Sequence, residues 1–384
     1  MIKKLIETLK GEKNILASMP SAPPTFLIDP IIALNRLTDA SPAEKLLYSG
    51  HNTGNMLFVN AMKEQLNYEK IEWFVASRYE EKENASAVMP ASNFISLGKD
   101  TSMEERLLDF LKETSFPFTL AGLGAQASDK IKTPKELMKV QPAKRVEFLK
   151  ALSERAVSIG VRGEFTAQCL EEIGIHNYRI IGCPSVYFSL GAKIKKVGLP
   201  SSKKIVVNVT TGNVFETKIM EIAAENSAHW IMQMETELPE KLLAGEVPLH
   251  TSLQKAFPGL KMSPEETREY SMKYAHMFFS MEQWTDFLKK EKFSFSFGSR
   301  FHGNMAAFRA GIPALWVVHD SRTKELVKSL HLPHIDYNQL NESKNVQKLM
   351  EYCDYSEFYK EYPHLRQNYI HFLNENKLNH NFSM

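Results

Sequence analysis

The feature that most constrains this chain is the stretch Phe293-Ser-Phe-Ser-Phe-Gly-Ser-Arg-Phe-His-Gly-Asn304, which runs on to Val317-Val-His-Asp-Ser-Arg322. Phe293, Phe295 and Phe297 alternate with serines, the period of a short strand. Gly298-Ser299 interrupts the alternation, and Asn304 to Ala310 has the composition of a buried helix. Gly311-Ile-Pro313 stops that helix, and Ala314-Leu-Trp-Val-Val318 is apolar enough for a core strand. The polar residues of this strand–helix–strand unit collect at its turns. Arg300 and His302 follow the first strand; His319, Asp320 and Arg322 follow the second. In an open parallel sheet, ligands bind in the crevice outside the carboxyl ends of the strands, and a helix N-terminus there favours anions. Taken singly, each residue would serve as a surface ion pair, a helix cap or a polar filler of the core. Their coincidence at strand ends, with apolar residues between, points to an anion cleft.

The blocks Gly298-Ser-Arg-Phe-His-Gly-Asn-Met305, Ala310-Gly-Ile-Pro-Ala-Leu-Trp316 and His319-Asp-Ser-Arg-Thr-Lys-Glu-Leu326 resemble the signature of the polysaccharide pyruvyl transferase family. Ile159-Gly-Val-Arg-Gly163 and Ile181-Gly-Cys-Pro-Ser185 are similar to its second block, and the resemblance runs from about Gly50 to Glu325. By itself Arg162 would pair with Glu164 or another nearby acid; the resemblance makes it an anion-binding arginine of the N-terminal half. The family often carries Gly-Asp where this chain has Gly54-Asn55.

Composition narrows the partners. With 384 residues the chain is long enough for two domains, and its 43% hydrophobic and 24% charged content is that of a globular protein. A net charge of +2 gives no bulk attraction for nucleic acid. The three cysteines, Cys169, Cys183 and Cys353, lack metal-ligand spacing, and their odd number fits reduced thiols and a cytoplasmic setting. No apolar run has the length of a membrane span, and Glu7, Lys10 and Glu12 interrupt any signal-peptide core. Ile2, Leu5, Ile6 and Leu9 make an amphipathic helix expected to pack on the protein, with peripheral membrane contact left open.

Along the chain, residues 13–40 read as an irregular lead-in and Lys45–Ser49 as the first strand. A Gly-rich turn, Gly50 to Asn55, precedes a helix with Met56, Val59, Met62 and Leu66 at helical spacing. Such a turn aims backbone N–H groups at an anion. Glu72–Ala76 and Phe116–Gln126 are further strands; the second ends in Gly122-Leu-Gly124, which no acidic partner follows as a dinucleotide fingerprint requires. Ala143–Ala156 is a helix, Val157–Val161 a strand, Glu164–Glu172 a helix, and Tyr178–Pro184 a strand and turn. Gly191 to Lys204 is basic and poor in large apolar residues, the mark of a linker. Strands resume at Lys204–Thr210, Trp230–Met234 and His276–Phe279, with a Pro-punctuated insertion from Thr236 to Pro264. From Asn338 a helical tail is expected.

Two successive β/α series joined by a linker imply an α/β protein of two Rossmann-like domains facing a cleft, the glycosyltransferase-B arrangement that the resemblance also implies. The expected domains are residues 1–195 on the acceptor side, 196–337 on the donor side, and a tail, 338–384, folding back on the first. The resemblance implies transfer of the pyruvyl group of phosphoenolpyruvate onto two hydroxyls of a sugar in a polysaccharide or lipid-linked glycan precursor, forming a cyclic ketal and releasing phosphate. It implies no metal or organic cofactor. Arginine forks suit a carboxylate and a phosphate held close together, so Arg162, Arg300 and Arg322 are the expected clamp, with Gly303, Asn304 and His319 beside them on the donor. His302 is the expected proton-transfer group, with His319 or Asp320 as helper, and Arg300 and Arg322 share the catalytic centre. Asn52, Asn55 and Gln126 are assigned to the acceptor, together with the loop Thr211–Asn213. The alternatives are a glycosyltransferase or nucleotide-sugar epimerase, for which Glu325 would contact a ribose, and a sugar-binding relative without turnover.

Overall fold

The computed structural model describes residues 24–31, 34, 37, 39–71, 85–128, 131–209, 211–212, 214–235, 257–343 and 345–383. Its strands gather into two six-stranded sheets, and every pairing within them is parallel. The first holds β1 (Thr25–Ile28), β2 (Glu69–Ile71), β3 (Ser86–Pro90), β4 (Phe118–Leu123), β5 (Ile159–Val161) and β6 (Tyr178–Ile180), in spatial order β2-β1-β3-β4-β5-β6. The second holds β7 (Ile205–Asn208), β8 (His229–Met232), β9 (Ala275–Met277), β10 (Phe295–Gly298), β11 (Ala314–Val318) and β12 (His334–Asp336), in order β12-β11-β10-β7-β8-β9. From its other edge the second sheet has the strand order of the Rossmann fold. The order reverses between β7 and β10 there, and between β1 and β3 in the first sheet; such reversals open a crevice at the carboxyl ends of the strands. The fold is the expected pair of Rossmann-like α/β units facing a cleft. Between β6 and β7, residues 191–204 form neither helix nor strand.

Six helices bear on the site: α1 (Pro42–Tyr48), α2 (Asn55–Gln65), α3 (Glu164–Glu171), α4 (Phe301–Arg309), α5 (Ser321–Ser329) and α6 (Ser356–Glu375). α4 begins three residues before the expected Asn304, with Arg300 at its N-cap and His302 in its first turn. One apolar cluster joins Met56, Phe58 and Met62 of α2, Met305 and Phe308 of α4, and Phe358, Tyr369 and Phe372 of α6, so the two halves share a core. At its end α6 returns to the first sheet. The carboxylate of Glu375 takes two hydrogen bonds from Arg179, both 2.7 Å long.

The alternating serine of β10 is fully buried, as parallel strands usually are on both faces, and its hydroxyl is satisfied internally. Ser296 donates to Asn304 Oδ1 at 2.8 Å and accepts from Asn208 Nδ2 at 3.1 Å. Gly298, opposite Asn208 in the register, has φ +146°, and a Cβ there would lie 2.0 Å from the Asn208 carbonyl oxygen. Only glycine allows β10 to turn toward the cleft this close to β7.

Lys45–Ser49 is not a strand: Lys45 to Tyr48 belong to α1, and Ser49 caps it. The helix is nucleated by Ser41-Pro42-Ala43-Glu44, where Ser41 Oγ accepts the Glu44 N–H and the Glu44 carboxylate accepts the Ser41 N–H, with proline in the first turn. The first strand is instead β1, buried throughout, within the stretch expected to be irregular. The expected strand Glu72–Ala76, the amphipathic segment Ile2–Leu9, Asn213 and residues 236–256 of the insertion lie outside the described residues.

Candidate active site

A cleft of about 310 Å³ lies where the carboxyl ends of the two sheets meet. From the first half, His51 and Asn52 reach it on the turn between α1 and α2, Asn55 from the start of α2, Asn93 from beyond β3, Gln126 from beyond β4 and Arg162 from the end of β5. The second half contributes Met234 after β8, Arg300 and His302 at the start of α4, and His319, Asp320 and Arg322 at the start of α5.

Arg162 is 0% exposed, and its guanidinium is held by strand-end groups. Nε donates to Gly122 O at 2.9 Å, Nη1 to Asn93 Oδ1 at 3.2 Å and Nη2 to Ala91 O at 3.4 Å. Arg300 is also buried, with Nε donating to Val209 O at 3.3 Å. Burial lowers the pKa of both arginines, and the charge of Arg322 adds to the lowering in each. Arg322 Nε is buried without a hydrogen-bond partner among the described residues; its near neighbour is Asp320 Oδ2 at 3.7 Å. Cationic groups that repel one another across a partly dehydrated cleft are stabilised by an incoming anion.

His302 is buried against Phe58, with ring centroids 5.2 Å apart, and its Nε2 lies 3.5 Å from Cys183 Sγ. Burial, then the charges of Arg162 and Arg322, hold its pKa well below the ordinary value, so the imidazole is neutral. Burial lowers His319 as well, against the pull of Asp320. Burial would raise the Asp320 carboxyl, but Arg322, His319 and the Thr323 N–H together keep it below its usual value. Asp320 organises this rim. Its Oδ1 caps α5 by accepting the Thr323 N–H at 2.7 Å, and its Oδ2 accepts from Gln126 Nε2 across the cleft at 3.0 Å. Gln126 Oε1 in turn accepts from Asn93 Nδ2 at 2.9 Å, so a chain of polar groups runs from Arg162 to Asp320.

The cleft therefore gathers Arg162, Arg300, Arg322, His302, His319, Asn52, Asn55 and Gln126. It does not gather Gly303 and Asn304, expected on the donor. Asn304 is fully buried and spends its amide on Gly298 O, at 2.8 Å, and on Ser296. A Cβ on Gly303 would sit 2.1 Å from Asn208 Oδ1, so that glycine serves packing. Asn52 Oδ1 accepts the Gly54 N–H at 2.9 Å, and Asn55 Nδ2 donates to Ser49 O at 3.0 Å, which pins the turn into α2. Glu325 faces away from the cleft and bonds Thr166. Sequence reasoning missed Asn93 and Cys183. Neither carried a signal: Asn93 follows β3, whose small residues read as loop, and the contact of Cys183 with His302 joins residues from different halves.

The family model for polysaccharide pyruvyl transferases matches residues 52–321. This chain belongs to the polysaccharide pyruvyl transferase family. All the cleft residues named above from Asn52 to Asp320 lie inside the matched span, and only His51 and Arg322 fall just beyond it. No curated protein matches this pyruvyl transferase family member. Among solved structures it is similar to an uncharacterised protein from Klebsiella pneumoniae, at 10% identity and a TM-score of 0.39, covering 84% of this chain and 93% of that one. It is similar to S. aureus MnaA bound to UDP at 10% identity and a TM-score of 0.39, covering 94% and 93% of the two chains. It also resembles Os79 from O. sativa in complex with UDP, at 10% identity and a TM-score of 0.34, over 92% of this chain and 95% of that one. Among the described residues no group of three or more His, Cys, Asp or Glu is arranged to hold a metal ion, and no helix is long and apolar enough to cross a membrane.

Proposed function

We propose that the cleft binds phosphoenolpyruvate and transfers its pyruvyl group to a saccharide, closing a cyclic ketal on two hydroxyls and releasing phosphate. One observation carries this reading: Arg162, Arg300 and Arg322 converge from both sheets on a single cleft that also contains a buried histidine, His302. A carboxylate and a phosphate borne by one carbon need several fixed donor forks, which arginines supply.

The reaction needs two proton movements. The methylene carbon of the enol gains a proton and becomes methyl, leaving a cationic carbon that one hydroxyl attacks. The C–O bond to phosphate breaks, and the second hydroxyl closes the ring. Of the two hydroxyl protons, one balances the methyl group and the other leaves with phosphate. His302 suits this shuttle because its pKa responds to the donor. Burial, then the charges of Arg162 and Arg322, depresses it; a bound anion offsets those two charges and raises it. Asn52, Asn55 and Gln126 line the same cleft, where the remaining hydrogen-bonding capacity of their amides is available to the saccharide.

The test is a paired assay. Phosphate release from phosphoenolpyruvate is measured with a panel of saccharides, beside nucleotide release from sugar nucleotides. Acceptor-dependent phosphate release is expected; nucleotide release without it would overturn the reading.

A further inference from the structure

Two cavities lie along the seam between the halves. Beside the arginine cleft is a larger groove of about 630 Å³, between α3 and α5, with Lys132, Lys324 and Lys328 around it and Glu325 in its wall. The Gln126–Asp320 bond joins two residues that line the cleft, and the Ala127 N–H to Ser321 Oγ bond ends on a residue that lines the groove; both are 3.0 Å long and cross the seam.

Glu325 is 7% exposed and is needed by nothing in its own helix, which Asp320 already caps. Its carboxylate enters the first turn of α3 in the other half. Oε1 accepts the Thr166 N–H at 2.7 Å and Oε2 accepts the Thr166 hydroxyl at 2.9 Å. Thr166 Oγ1 also accepts the Ala125 N–H at 2.9 Å, which ties the loop after β4 to the same point. One turn along α5, Ser329 donates to the Arg162 carbonyl at 2.9 Å. The Arg162 N–H is bonded to Leu123 O at 2.9 Å, so the backbone of Arg162 is fixed on both sides. Between them, a Cβ on Gly163 would lie 2.3 Å from Glu325 Cγ, so the Glu325 side chain lies directly against the Gly163 backbone.

Burial pushes the Glu325 carboxyl up to about 7, with Arg162 and Thr166 opposing and Glu164 assisting. An aliphatic side chain would fill the space without that cost. What the carboxylate contributes is direction, because two hydrogen bonds to one residue permit one relation of the halves. We propose that Glu325 is a positioning residue: it holds the Arg162–Gly163 turn against α5, so that Arg162 and the arginines of the second half face one anion. The inference rests on the cleft being an anion site, whichever anion it takes.

The experiment uses the full chain with Glu325→Gln and Glu325→Ala. Amide exchange is followed over residues 163–167, and binding of phosphoenolpyruvate and of inorganic pyrophosphate is measured by calorimetry. Glu325→Ala should speed exchange and raise Kd by about tenfold, the usual scale for a lost charge-assisted bond. Glu325→Gln should retain both properties, because its amide accepts from the Thr166 N–H and donates to the hydroxyl. If the alanine variant does not fold, Thr166→Ala, which removes one of the two bonds, should show the same changes at smaller size. Wild-type exchange and affinity in the truncated variants would overturn the proposal, as would a folded Glu325→Gln as impaired as Glu325→Ala. Binding of pyrophosphate but not phosphoenolpyruvate would remove the proposed donor and leave this inference to the pyrophosphate data. Binding of neither anion would overturn both.

Discussion

Arg322 Nε is a buried donor in the cleft left without a hydrogen bond among the described residues. Arg162 is committed to carbonyls and Asn93, and Arg300 to Val209 O. Arg322→Lys should therefore weaken phosphoenolpyruvate binding by about one to two decades despite keeping its charge, since an ammonium lacks the planar fork and a charged bond contributes roughly 1.5–3 kcal/mol. Calorimetric titration checks this, and an unchanged Kd would mean that Arg322 only pairs with Asp320. His302→Ala should lower kcat on the order of 100- to 10,000-fold while leaving donor affinity largely intact, as befits a group that moves a proton in the transition state. Steady-state kinetics at saturating donor decides; near-normal turnover would leave His302 as packing for Phe58. Asn55 shows why one residue type matters. Its amide nitrogen donates to the Ser49 carbonyl, a bond that an ionised aspartate cannot make.

Among the elements, β10, α4 and β11 were legible because alternation, a Gly-Pro stop and an apolar run agree with one another. So were α2 and the strands ending at Leu123 and Val161. α1 was misread because the apolar run Leu46-Leu-Tyr48 outweighed the capping signal at Ser41, Pro42 and Glu44 just before it. Asn93 was invisible because β3, Ser-Ala-Val-Met-Pro, carries small residues that look like loop yet are buried throughout. Gly303 and Asn304 were given to the donor because the motif surrounds them; a sequence does not say which way a helix residue points, and these two face β7. A feature unforeseen altogether is the stacked pair at the β8–β9 edge, with His229 Nδ1 2.8 Å from His276 Nε2 and Phe287 and Phe293 around it. Burial, then the charge of His229, pushes His276 down to about 4, and burial also lowers His229. Folded values below the unfolded one mean that the stability is present above about pH 6.5 and is lost as pH falls toward 4. Denaturant unfolding should show wild type losing about 1–2 kcal/mol more than His276→Gln between pH 7.5 and pH 5. Parallel losses would show that the pair does not titrate with folding.

Across the whole molecule the two halves meet without a spacer at Gly163. Its backbone is extended, so alanine is not strained there, but the added methyl collides with Glu325 and with Ser329 Oγ, 2.9 Å away. Gly163→Ala should destabilise by about 1–3 kcal/mol, as overpacking does, and should weaken anion binding in step; thermal unfolding with and without phosphoenolpyruvate measures both. An unaltered melting temperature would show that the seam yields freely. The return of α6 bears on something else, the order of assembly during synthesis. The Asn379 N–H reaches Thr25 Oγ1 at 2.7 Å, Tyr369 donates to Gln65 Oε1 at 2.7 Å, and Phe372 packs on Gly160. β1 pairs early with β2 and β3, but Thr25 of β1 and Gln65 of α2 take their bonds from residues made more than three hundred positions later. While the ribosome is still working, that sheet stands with its α6-facing side uncovered and sticky. A chain with such distant closure folds slowly and is exposed to aggregation until α6 emerges.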